Sequence, residues 1–194
     1  MIRARGRPSR RARHLARRIV SLLVLGGALA PVTIASGTAS AAPGVRLACR
    51  SAQLAGTFAT IVGSAGAGNV SYSLRLRNHS TARCFVSGLV GLQLRGGKGA
   101  PLPTNVVPAQ PGAATAVLVS LAPGASAWAS ARFSPDVPGK GEPVRIRCEA
   151  TAYTVRVTVP PRRDSLVAPV VPPTPVCEHG RMLVSLLGTK RPRA

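Results

Sequence analysis

The sequence predicts an all-β fold, an immunoglobulin-like antiparallel β-sandwich of about seven to eight strands with two disulfides. Three observations carry this. Short runs alternate apolar and polar residues at the two-residue period of a half-buried strand. The 20 Gly and 18 Pro among 194 residues are too many for a helical bundle and suit a turn-rich β fold. No window shows a long, capped 3.6-residue period.

The strands follow in order. Val70 to Arg77 places Val, Tyr and Leu on one face and Ser and Arg on the other. Val90, Leu92 and Leu94 repeat the pattern, with Gln93 and Arg95 outward. Ala116 to Leu121 is a continuous apolar run, expected as a central strand. Pro123-Gly124 turns the chain into a strand whose Ala127, Ala129, Ala131 and Phe133 share one face, with Trp128 and Arg132 on the other. Val144, Ile146 and Cys148 alternate with Arg145 and Arg147. Tyr153, Val155, Val157 and Val159 alternate with Thr154, Arg156 and Thr158, and Arg181 to Leu187 makes a last strand. Residues 100–114 and 169–175 read as linkers, the second stiffened by Val170-Val171-Pro172-Pro173-Thr174-Pro175. With 3% aromatic residues, the core is expected to be aliphatic.

Residues 1–41 have the order of a secretory signal peptide. Eight arginines and no acid lie in residues 3–18, an apolar stretch runs from Ile19 to Ile34, and Ala39-Ser40-Ala41-Ala42 offers cleavage after Ala41. Glycines and a proline interrupt the stretch, so no transmembrane span is expected after cleavage. A short linker at 42–47, the domain at 48–188 and a basic tail at 189–194 complete the organisation. Cys49, Cys84, Cys148 and Cys177 all follow the cleavage site, as expected of a disulfide framework in an exported domain. Gaps of tens of residues do not fit a structural metal site. Of three possible connectivities, the sequential one is expected, Cys49 with Cys84 and Cys148 with Cys177.

Several blocks occur in a recognisable order. Leu74-Arg75-Leu76-Arg77-Asn78-His79-Ser80 leads to Cys84-Phe85-Val86-Ser87-Gly88, then Leu121-Ala122-Pro123-Gly124-Ala125-Ser126-Ala127, then Cys148, Val157-Thr158-Val159-Pro160-Pro161 and Cys177. Together they resemble a four-cysteine domain of unknown function found in secreted proteins and lipoproteins of actinobacteria. The resemblance covers nearly all of residues 48–188. It departs at Gly88-Leu89-Val90-Gly91, where Gly-Tyr-Pro-Gly is common, and at Pro161-Arg162, where Pro-Gly is common. It implies a β-sandwich outside the membrane and no particular activity.

The chemistry-bearing residues are sparse. Beyond the signal segment stand His79, His179 and five acids, Asp136, Glu142, Glu149, Asp164 and Glu178. No nucleophile elbow, paired-carboxylate motif or zinc-protease motif is present, so no enzyme activity and no cofactor are expected. Cys177-Glu178-His179-Gly180-Arg181-Met182, with His79, invites a blue-copper reading, but a thiolate at Cys177 would leave an odd cysteine. Asn78-His79-Ser80 fits a glycosylation sequon but is expected to mark an exposed turn.

Charge carries more content. After the signal's eight arginines, 18 basic residues remain against five acidic ones. Arg75, Arg77, Arg145, Arg147 and Arg156 are expected to point outward and, on a shared sheet, to form a cationic stripe. The expected role is that of an exported binding or envelope-associated module. Its partner would be an anionic cell-envelope polymer or an extracellular protein, with a secreted protease inhibitor, or after it a metal-handling protein or enzyme, as alternatives. Sequence-specific nucleic acid is not expected, because no recognition helix or aromatic platform is evident.

Overall fold

The computed structural model describes residues 47–112, 115–144, 148 and 150–194. Residues 1–41, read above as a signal peptide, and Arg145, Ile146, Arg147 and Glu149 lie outside the described residues, and with them the middle of the strand expected around Ile146. Ten strands are described: β1 (Leu54–Thr60), β2 (Val70–Asn78), β3 (Cys84–Val86), β4 (Gly91–Arg95), β5 (Asn105–Pro108), β6 (Val119–Leu121), β7 (Ser126–Phe133), β8 (Ala152–Thr158), β9 (Ser165–Thr174) and β10 (Arg181–Val184). The helical elements among the described residues are single 3₁₀ turns. The fold is therefore all-β, with two disulfides.

Eight strands hydrogen-bond in the order β4-β8-β9-β1-β2-β7-β10-β5, and β3 pairs with β6 as a separate ribbon. The long β9 lies between β8 and β1: Ser165 to Pro169, and again Thr174, pair with β8, whereas Val170 and Val171 pair with β1 in parallel. Prolines hide such a strand from sequence reading because they lack an N–H. Here Pro172 and Pro173 fall beyond the residues paired with β1, and the Pro172 carbonyl accepts from the Tyr72 hydroxyl at 3.2 Å. The two ends of the order also approach each other. The Leu102 N–H donates to the Leu94 carbonyl on β4, and the Leu94 N–H donates to Thr104 Oγ1, one residue before β5. The eight-stranded order is thus wrapped almost into a barrel around one core.

The β2–β7 register shows how that core is filled. Tyr72, Leu74 and Leu76 stand opposite Ala131, Ala129 and Ala127, so a large side chain meets a small one at each level. All six are essentially fully buried. Each buried Leu stabilises the fold by roughly 1.5–3 kcal/mol. Phe58, Tyr72 and Phe133 stack at the centre, with ring centroids 4.8 and 5.3 Å apart. The core is consequently less aliphatic than expected, because the scarce rings are concentrated there. On β1, Gly56 is a packing requirement: a Cβ would lie 2.6 Å from Leu166 Cδ1 and 3.0 Å from Ala168 Cβ.

Other expectations need correction. The apolar run from Ala116 does not form a central strand; only Val119–Leu121 is extended, in the ribbon, and Val117 and Leu118 are exposed. Tyr153 is 51% exposed, because the pairing register shifts between Ala152 and Thr154 and turns the ring outward. The two expected linkers contain β5 and the second half of β9. Asn78 is not part of an exposed turn but fully buried. Its Nδ2 donates to the Ala82 and Leu121 carbonyls, and its Oδ1 accepts from the Ser80 N–H and hydroxyl. The Asn-x-Ser spacing there serves a side-chain turn that ties β2 to the ribbon.

Candidate anion-binding face

The outward side of β1, β2 and β7 is built by strand alternation. With the apolar residues turned to the core, Thr57, Arg75 and Trp128 align in one row across the three strands. Ala55, Arg77 and Ser126 form the next row on one side, and Ala59, Ser73 and Ser130 on the other. Arg132 lies beyond, opposite Ser71. The Arg75 Nε donates to Ser126 Oγ at 2.9 Å, and its Cζ stands 5.4 Å from the Trp128 ring centroid. The Arg77 Nε donates to the Gly124 carbonyl at 3.3 Å. These contacts orient two guanidinium groups on one strand.

Past β10 the chain returns to this face. Leu187 anchors in the core, and Gly188 exchanges two 2.9 Å backbone hydrogen bonds with Trp128. Lys190–Ala194 then cross the sheet, with Arg191 Cζ 5.5 Å from the Trp128 centroid and Ala194 beside Gly63 in the β1–β2 turn. Between segment and sheet lies a groove of about 1110 Å³, lined among others by Thr57, Ser73, Arg75, Trp128, Arg191 and Arg193. Among the described residues no Asp or Glu side chain lines it. The ion pairs among the described residues are Arg162 with Asp164 and His179 with Glu142, so none neutralises this face. Ser73 is 8% exposed, and its hydroxyl has no hydrogen-bond partner within the described protein. Leaving a buried hydroxyl unpaired costs about 1–3 kcal/mol.

The structure therefore brings Arg75 and Arg77 together and separates Arg156 from them. Arg156 is on β8, where its Nε donates to Ser165 Oγ. With β9 and β1 intervening, it stands about 14 Å or more away along the sheet. Arg145 and Arg147 lie outside the described residues. Sequence reading did not place Trp128, Arg132, Arg191 or Arg193 in the site. The Trp128/Arg132 alternation pointed to a shared face, but no local pattern says that a basic segment folds back over a sheet.

The Cys177-Glu178-His179 segment has a different purpose. Cys177 is bonded to Cys148 and Cys49 to Cys84, so no thiolate is available to a metal. Glu142 clusters with Cys148 and Cys177 in a geometry that resembles a metal site, yet both sulfurs are already bonded to each other. Met182 is buried in the core. The nearly buried Glu142 carboxylate accepts the N–H groups of Gly139 at 2.7 Å, Glu178 at 2.8 Å and His179 at 2.6 Å. Burial works to raise its pKa. The three N–H donors and the nearby His179 charge outweigh burial and hold it below the ordinary carboxylate value. Those donors fix a turn in which Glu178 and His179 both have φ of 51°, a left-handed conformation costly for side-chain-bearing residues. Gly180 follows at φ 69°, where a Cβ would strike the Pro103 carbonyl. Glu142 is thus a clamp at the start of β10, the strand that delivers Gly188 to Trp128.

No curated protein and no solved structure matches the chain significantly. A domain of unknown function, DUF4232, matches residues 49–187, from the first cysteine to the buried Leu187. Since that span takes in both disulfides and every described strand, the chain belongs to the DUF4232 family.

Proposed function

We propose that this protein is an exported, non-catalytic module that associates with an anionic polymer of the cell envelope through its β1–β2–β7 face. The observation that carries the reading is the convergence of Arg75, Arg77, Arg132, Lys190, Arg191 and Arg193 on one side of the sheet, without an ion-pairing Asp or Glu side chain among the described residues. Unpaired cations held by hydrogen bonds and an aromatic ring attract polyanions without large reorganisation. Two disulfides suit an extracytoplasmic compartment. Among the described residues no helix is long and apolar enough to cross a membrane. The two sheet halves, meeting between β9 and β1, are read as the layers of a sandwich with two distinct outer faces.

The alternative of a protease inhibitor rests on the proline-rich segment. Pro172 and Pro173 are exposed, but Val170 and Thr174 on either side are buried within β9, so the segment does not project as a free loop. The test is sedimentation of the oxidised protein with isolated cell envelopes at low and high salt. Pelleting at low salt with release at high salt is expected. Pelleting indifferent to salt would point to a specific protein partner and contradict the proposal.

A further inference from the structure

We infer that the groove between the β1–β2–β7 face and Lys190–Ala194 is a phosphate site, taking a phosphodiester of the polymer together with its organic neighbours. The inference rests on the anionic-polymer reading and specifies its chemistry. Four basic residues, Arg75, Lys190, Arg191 and Arg193, line the groove with no acidic side chain among them. Arg75 gives its Nε to Ser126 Oγ, which leaves the terminal nitrogens of the guanidinium for an anion. Arg191 approaches the same indole from the crossing segment, so two guanidinium groups are set around one ring before any ligand arrives.

The second observation is independent of charge. Ser73 Oγ is a buried donor with no partner within the described protein, and it lines the groove beside Arg75. The guanidinium groups of Arg75 and Arg191 border the groove from the sheet and from the crossing segment, and a rotation of the buried Ser73 side chain would bring its hydroxyl to the floor. That suits a tetrahedral phosphate better than a planar carboxylate, which one bidentate fork already satisfies. At about 1110 Å³ the groove is slightly larger than small-ligand clefts of about 300–1,000 Å³ and exceeds the need of a free ion.

Trp128 is the chain's single tryptophan, so its fluorescence reads the groove directly. The experiment titrates the chain, disulfides intact, with oligo(glycerol phosphate), with polyglutamate of equal charge and with inorganic phosphate alone. The phosphate oligomer is expected to shift Trp128 emission and to bind about tenfold or more tighter than polyglutamate. Ser73→Ala and Arg191→Gln should each weaken it about tenfold with melting temperature retained, while Ser73→Thr keeps the hydroxyl and the binding. Equal binding of polyglutamate, with Ser73→Ala behaving as the parent, would overturn the phosphate site and leave the cationic face standing. Inorganic phosphate binding as tightly as the oligomer would overturn the polymer as its source. No binding of either polymer, together with no low-salt pelleting on envelopes, would remove both readings.

Discussion

Both halves of the eight-stranded order turn polar residues outward by the same alternation, yet their outer faces differ in kind. The β1–β2–β7 face carries Arg75, Arg77, Arg132 and Trp128 and is crossed by Lys190–Ala194. The β4–β8–β9 face carries Arg156 and Arg95 beside the exposed side chains of Tyr153, Val167 and Val171. Arg156 and Arg95 are each held by a local hydrogen bond, to Ser165 and to the Gly99 carbonyl. Arginine on a strand is therefore no site by itself. A site arises where register, an aromatic ring and a returning chain segment bring several charges to one place.

The contrast can be broken from the side of β10, which delivers the crossing segment. The largest effect is expected from replacing Cys148 and Cys177 together by Ala. Their bridge closes a separation of 29 residues, worth about 3.6 kcal/mol in the chain-entropy account. Denaturant unfolding should show that loss, and hydrogen exchange should rise in β10 and at Gly188 while β8 keeps its protection. Equal loosening of both faces would refute their independence.

Glu142→Gln comes next. Replacing a buried carboxylate that accepts three N–H donors costs about 2 kcal/mol. The substitution also tests a pH dependence. Because Glu142 in the folded protein has a pKa below its ordinary value, its contribution is fully present above the ordinary carboxylate range. It is lost as pH falls through the lowered folded value. Acid unfolding of the parent should include this loss, and Glu142→Gln should flatten it.

The smallest effect is expected from Trp128→Ala. Two guanidinium–ring contacts of about 0.5–1 kcal/mol each disappear, loosening Arg75 and Arg191 without unfolding the core. Stability should fall by about 1–2 kcal/mol, and affinity for the anionic polymer should fall several-fold, measured by resin retention across a salt gradient.

Much of the fold was legible because alternation is a local signal. β2, β4, β7 and most of β8 declare themselves through every second residue, and the cysteine pairing followed the simplest order. β1 was hidden by its small residues Ala55, Gly56, Thr57 and Ala59, and β9 by its prolines. Neither is visible without the partner strands that make Gly56 a close contact and bracket β9 on both sides. The site was half legible. Alternation put Arg75 and Arg77 outward together, but the separation of Arg156 depends on strand order, and the placing of Arg191 depends on the Gly188–Trp128 pairing. Both are long-range facts that no short window contains.

The most direct test of the account compares the two faces under one assay. Arg75→Gln with Arg132→Gln removes two charges from the crossed face, and Arg156→Gln with Arg95→Gln removes two from the other. Binding to isolated envelopes is followed against salt for both variants. The first pair is expected to lose about tenfold or more in affinity and to flatten the salt dependence, while the second pair binds as the parent does. Equal losses from both pairs would show that total charge, not the assembled face, governs association, and would contradict the account.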